Sequence, residues 1–76
     1  MRYQVTTKSG LDLGEVVAAT AEDAVVAAYR AAGIDGEPVS VFDDQANVPA
    51  LREFDDLASA LKVFVPEAIA TIEVIN

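Results

Sequence analysis

The chain opens with a strand-like alternation of apolar and polar positions. Tyr3 and Val5 share one phase while polar residues fill the other, which predicts a strand over residues 2–7. Residues 8–10, Lys-Ser-Gly, are typical of a tight turn. The chain is therefore expected to reverse there and to return as a second strand over 11–19.

The second strand changes phase partway along its length. Leu11 and Leu13 share one phase, whereas Val16 and Ala18 share the other. Because a slip of one residue moves every later side chain to the opposite face of a sheet, the two runs are compatible only through an inserted residue. We therefore predict a β-bulge at Gly14.

A helical pattern follows, with apolar residues at three- and four-residue spacing over 21–32. Thr20 precedes it as an N-cap, and Asp23 occupies the third helical position, as in a capping box. Gly33 fits the left-handed position after the helix, where it would allow Ile34 to contact the last turn. The pattern thus predicts a helix with both ends capped.

The segment after this helix contains two shorter strand signals. A turn over 35–38 leads into a third strand over 39–42, where apolar residues predominate. A polar loop over 43–47 follows. Residues 48–52 are then either an edge strand or irregular, because Pro49 lacks the N–H that a central strand needs.

The last part of the chain predicts one helix and one strand. The helix covers 56–64, with Asp55 or Asp56 as its N-cap and Pro66 as its end. Apolar and polar residues then alternate over 69–75, which predicts a final strand. The buried stripe of the helix would consist of Leu57, Ala60, Leu61 and Phe64.

The order of predicted elements is β-β-α-β-(β)-α-β within a single domain of residues 1–76. Hairpins separated by helices favour a two-layer α+β fold, with a mainly antiparallel sheet of four to five strands and two helices. The helices are expected to cover one face of the sheet. The other face would then meet water or a partner.

The absence of cysteine and histidine excludes several kinds of catalytic and metal-binding site. Disulfides, Cys/His zinc sites and a Ser–His–Asp triad all need residues that this chain does not have. Asp43, Gln45 and Asn47 have the spacing of a calcium loop, but Val48 stands where the loop needs glycine and Phe54 where it needs glutamate. We predict no enzyme activity, no metal and no cofactor.

The distribution of apolar residues and charge bears on location. No long apolar run follows Arg2, so a signal peptide is not expected. The apolar runs, such as the one over 63–66, are far shorter than the roughly 20 residues that cross a bilayer. A net charge of -8 disfavours nucleic acid and anionic membranes as direct ligands. These features predict a cytoplasmic protein.

Most of the negative charge lies in residues 35–56. This segment contains seven acidic residues and a single basic residue, Arg52. It therefore carries six of the eight net negative charges of the chain. A solvated acidic rim is one interpretation, since acids are common in turns and at helix starts. The other is a surface that binds a basic protein. Its contact residues would be Asp35, Glu37, Asp43, Asp44, Glu53, Asp55 and Asp56.

Two aromatic residues lie beside these acids. Phe42 and Phe54 are either part of the core or anchors that add a desolvated centre to the acidic surface. Core packing is the favoured interpretation of both.

A short, acidic, cysteine-free chain with this α+β order resembles the small phage- or prophage-encoded inhibitor proteins, especially the anti-CRISPR proteins. Several of those mimic DNA with an acidic surface and block the target-binding channel of a CRISPR surveillance complex, while others occlude or lock a subunit. The resemblance, in size, charge and layout, implies an acidic inhibitor in a bacterial host. Its partner would be a CRISPR surveillance complex or a nuclease, blocked by competitive occupancy.

A small structural or assembly module of phage or plasmid origin is the alternative. Such a module would self-associate, for instance as a homodimer, through a sheet edge or an open sheet face. The last strand, Ile69 to Ile75, and the edge near Val48 would then matter more than the acids. Association that is indifferent to salt would distinguish this alternative from the acidic inhibitor.

Overall fold

The computed structural model describes all 76 residues and contains five strands and three helices. The α+β class, the order of the elements and the antiparallel pairing agree with the sequence prediction. In chain order the elements are β1 (Arg2–Thr7), β2 (Asp12–Val17), α1 (Ala21–Ala31), β3 (Val39–Asp43), β4 (Ala50–Phe54), α2 (Leu57–Leu61), α3 (Pro66–Ile69) and β5 (Ala70–Ile75).

The strands form two sheets, where the sequence predicted one sheet of four to five strands. The larger sheet has the order β2-β1-β5, and the smaller consists of the β3–β4 hairpin. Helix α3 contacts both β3 and β5. A helix in this place separates the hairpin from the edge strand β5, so the two sheets do not join.

The bulge predicted in the second strand is present at Leu13 and Gly14. Val5 pairs with Gly14 and Thr6 pairs with Asp12, so Leu13 is the inserted residue. Gly14 has a φ of 87°, which a residue with a side chain rarely adopts. The bulge allows Leu13 to pack against the core even though its phase differs from that of the later residues of β2.

Both predicted caps of α1 are confirmed. The Thr20 hydroxyl accepts a hydrogen bond of 3.1 Å from the Asp23 backbone N–H. At the other end Gly33 has a φ of 72°, and the Ile34 N–H donates to the Tyr29 carbonyl at 3.0 Å. These contacts are those of a Schellman motif, and they fix the direction in which the chain leaves α1.

The helix predicted over 56–64 is present but shorter, because α2 ends at Leu61, and a further short helix that was not predicted, α3, follows it. Asp56 caps α2, and its carboxylate accepts a hydrogen bond of 2.8 Å from the Ser59 N–H. Pro66 begins α3 rather than ending the preceding helix. Proline suits this first-turn position, since its missing N–H would have no helical partner there. The predicted stripe still faces the core.

The core lies where α1, α2 and α3 meet the inner faces of β1 and β3. Its twelve buried residues are all apolar or aromatic, and no polar residue is buried among them. None of the three helices has the length and apolar character that crossing a membrane requires.

Candidate protein-binding surface

The β3–β4 hairpin presents two faces of different character. Val39 and Val41 are buried against the core, while the alternate residues of β3 are exposed on the other side. The strand register pairs Phe42 with Leu51 and Ser40 with Glu53. These two pairs, Ser40–Glu53 and Phe42–Leu51, form what we call the outer hairpin face.

An apolar pair occupies the middle of this face. Phe42 is 57% exposed and Leu51 is 67% exposed. Directly opposed residues of antiparallel strands have Cβ atoms about 5 Å apart, so the two side chains form one patch rather than two isolated apolar groups. Core packing, the favoured sequence interpretation of Phe42, is wrong, because strand alternation turns this residue away from the core.

Carboxylates flank the apolar pair. Glu53 lies on the same face of β4, and Asp44 lines a shallow depression together with Phe42 and Leu51. Neither carboxylate belongs to any of the three ion pairs of the molecule. The centre of the face is therefore apolar, and its border carries two carboxylates that form no ion pair, although the exposed Lys8 lines the same depression as Asp44.

Three of the seven predicted contact acids have structural partners. The largely buried Asp43 side chain lies 3.6 Å from Arg52, and the Asp35 carboxylate lies 3.7 Å from Arg30. Asp56 caps α2, and hydrogen bonds from Ser59, chiefly from its backbone N–H, lower the pKa of this carboxyl below its ordinary value. These three acids stabilise the fold locally and are poor candidates for partner contact.

The other four predicted acids are exposed and take part in no ion pair: Glu37, Asp44, Glu53 and Asp55. Asp44 and Glu53 border the apolar pair. Asp55 immediately follows β4, and Glu37 lines a separate groove beside β3. Some carboxylates of residues 35–56 therefore form ion pairs or cap a helix, and the others are exposed to solvent without an ion pair.

The inner face of the hairpin holds Arg52, the only base of residues 35–56. Arg52 points inward, where its guanidinium carbon lies 5.4 Å from the ring centre of Phe54 and 5.5 Å from that of Phe64. The two rings themselves meet edge to face at 5.9 Å. Phe54 therefore packs against the core, as favoured from the sequence, and the one base of the acidic segment is withdrawn from the outer face.

Sequence reasoning did not select Leu51 or Lys8, which lie beside Phe42 in the structure. The alternation over 39–42 did indicate that Phe42 is exposed. It places Phe42 on the same side of the strand as Ser40 and opposite to the two valines, Val39 and Val41. Leu51 becomes its neighbour only through the hairpin register, and Lys8 only through the packing of the first turn against the hairpin.

No group of three or more acidic side chains is arranged to hold a metal ion. No family model, curated protein or solved structure matches the chain. What the molecule does is therefore argued from the chemistry of its own surface.

Proposed function

We propose that this chain is an acidic protein-binding inhibitor that occupies a basic, nucleic-acid-binding surface of a partner protein. The observation that carries this proposal is the exposed Phe42–Leu51 pair, bordered by the Asp44 and Glu53 carboxylates, which form no ion pair. The outer hairpin face is the contact surface. Inhibition results from competitive occupancy and involves no chemical step.

The two parts of this face have different roles in binding. The apolar pair supplies a centre that loses water on contact, which is where most of the binding energy of an interface lies. The carboxylates at the border attract a basic surface over a distance and accelerate association. A protein that binds nucleic acid offers the complementary charge, because lysine and arginine contact phosphates.

The partner class follows from this complementarity together with the resemblance in size and charge. A CRISPR surveillance complex or a nuclease, in the cytoplasm of a bacterial host, presents a basic groove that target DNA must enter. A bound acidic domain of this size excludes DNA from that groove. The carboxylates at its border make the chain a possible DNA mimic, and the apolar centre adds a contact that DNA does not offer.

The test measures binding to a panel of CRISPR surveillance complexes and nucleases, each free of target DNA, by interferometry at about 0.1 M and about 0.5 M salt. A DNA competition assay on the same panel then measures displacement. We expect one partner to bind, to release the inhibitor at the higher salt, and to be blocked from DNA. Absence of binding across the panel would contradict the proposal.

Charge-reversal variants locate the contact. The double variant Asp44→Lys/Glu53→Lys should weaken binding at least tenfold and flatten its salt dependence. A matched control, Glu22→Lys/Glu73→Lys, changes the net charge equally at exposed acids far from the outer hairpin face. Equal effects of the two double variants would mean that only net charge matters and that the face has no specific role.

One observation favours the assembly alternative as a second candidate. β5 is an edge strand, with one side free of backbone pairing, and Val74 and Ile75 lie at its end without full burial. Self-association through this edge would appear as a concentration-dependent dimer in sedimentation. Ile75→Lys should abolish that dimer, and salt should not; a monomer at all concentrations would exclude this candidate.

A further inference from the structure

A groove of about 390 Å³ lies beside the outer hairpin face. Its walls come from the β1–β2 turn, the C-terminal end of α1 and the start of β3. Ser40 belongs both to this groove and to the outer hairpin face, so the two are continuous. This volume falls at the small end of the range for sites that bind small molecules or single side chains.

Tyr29 lines this groove, and its hydroxyl has no hydrogen-bond partner in the protein. The residue is only 5% exposed, and its hydroxyl forms no hydrogen bond with any other residue. No fully buried side-chain oxygen lacks a partner, so some of the remaining exposure of Tyr29 belongs to this hydroxyl. Water or a ligand in the groove is what can reach it, because buried tyrosine hydroxyls normally form hydrogen bonds.

The protonation state of Tyr29 defines what its hydroxyl can do. Burial raises the pKa of this phenol, so it is neutral throughout the physiological range. A neutral phenol donates one hydrogen bond and also accepts. It can therefore accept from a cationic donor that enters the groove.

The remaining lining favours a cation with an aliphatic stem. Ile34 and Val39 provide apolar walls, and the exposed Glu37 carboxylate has no ion-pair partner. The net charge of -8 enriches cations in clefts of this molecule. Lys8, the only base of the lining, is exposed and opposes the entry of a cation.

We propose that the groove receives an arginine side chain of the basic partner. The guanidinium donates to the Glu37 carboxylate and to the Tyr29 hydroxyl, and the aliphatic stem packs against Ile34 and Val39. This inference rests on the proposed function for the identity of the partner. The guanidinium site itself is testable on the isolated chain.

The test is an NMR titration of the ¹⁵N-labelled chain with butylguanidinium, which reproduces the stem and head of arginine. Pentanoate, of similar size and opposite charge, is the control ligand. We expect butylguanidinium to shift the amide signals of the groove residues, at millimolar dissociation constants, and pentanoate to leave them in place. Shifts caused by pentanoate instead, or by neither ligand, would overturn the proposal.

Three single substitutions check the assigned contacts. Glu37→Gln should weaken butylguanidinium binding several-fold, and Tyr29→Phe should weaken it about threefold while keeping the buried ring. Lys8→Glu should tighten binding several-fold, a gain that misfolding cannot produce. Glu73→Gln, an equal charge change on the other sheet, should have no effect. Weaker binding by Lys8→Glu would identify an anion site and contradict the proposal.

These measurements separate the groove from the outer hairpin face. If butylguanidinium does not bind but the chain still displaces DNA from a partner, the groove proposal alone fails. If butylguanidinium binds and no partner is found across the panel, the proposed function fails and a guanidinium site remains.

Discussion

The exposed faces of the two sheets differ in the side chains they present to solvent. On the outer side of the three-stranded sheet, polar side chains bind one another: Arg2 lies 3.1 Å from Glu15, and the Gln4 amide donates to the Asp12 carboxylate. On the outer side of the β3–β4 hairpin, an apolar pair and carboxylates that form no ion pair face the solvent. Both sheets follow the same antiparallel alternation, so the difference comes from residue choice alone.

This difference is the reason why the outer hairpin face, and not the larger sheet, is the proposed contact surface. The larger sheet also exposes apolar residues, and Val17 is 76% exposed. The register, however, places Arg2 between Val17 and Ile75, so no continuous apolar patch forms there. Single exposed apolar residues are ordinary on protein surfaces, whereas an adjacent pair bordered by unpaired charge is typical of a binding site.

The largest expected effect contrasts a buried leucine with an exposed one. Leu57 is 2% exposed in the core, so Leu57→Ala should lower the free energy of unfolding by about 3 kcal/mol and the Tm by roughly 15 °C. Leu51→Ala removes the same atoms from the outer hairpin face and should cost less than about 0.5 kcal/mol. Urea unfolding measures both; equal losses would mean that the hairpin face is not free.

The next effect separates the two exposed faces by their role in binding. Phe42→Ala should weaken partner binding by about 2 kcal/mol, which is roughly thirtyfold, because it removes the apolar centre of the contact. Val17→Ala, on the larger sheet, should leave affinity unchanged. Interferometry with the partner identified in the panel provides the measurement, and matched losses in the two variants would erase the distinction between the faces.

A smaller effect concerns the loop that connects α1 to β3. Gly33→Ala forces a side chain into a left-handed backbone conformation and should cost about 1 kcal/mol of stability. Gly36 has no such conformation and open space around it, so Gly36→Ala should be neutral or slightly stabilising. Thermal unfolding compares the two, and a cost at Gly36 as large as that at Gly33 would contradict this account.

The smallest effect is a pH dependence at the start of α2. The folded-state pKa of Asp56 lies below its ordinary value of 3.8, so its ionised form stabilises the fold above that pH. This contribution is lost as the pH falls through the lower, folded-state pKa. Asp56→Asn keeps the capping oxygen without the charge. The urea midpoints of the wild type and this variant should therefore converge on acidification; a constant gap would exclude an ionised cap.

The local features of the fold were predictable because their causes are local. Thr20 and Gly33 mark the ends of α1 through contacts within a few residues, and the phase change around Gly14 requires a bulge whatever else the chain does. The alternation of β1 and β5 likewise depends only on which positions are apolar. These elements lie within one or two residues of their predicted bounds.

The helix over 56–64 shows where local reasoning ends. Its apolar spacing fits one helix, but the chain turns after α2, and Pro66 then begins α3, which contacts a strand of each sheet. The separation of the sheets depends on that turn. No pattern within the segment records it, because the competing conformations differ only in contacts with distant residues.

The sequence by itself determined the α+β class, the capped first helix, the bulge and the concentration of acid in residues 35–56. Only the tertiary structure decided how that acid is used. It placed Asp43 against Arg52 and left Asp44 without an ion pair beside Phe42, although the two aspartates are adjacent in the chain. It also brought Lys8, Tyr29 and Glu37 to one groove. The physical reason is that alternation and charge are properties of neighbouring residues, whereas pairing and exposure depend on which distant segments pack together.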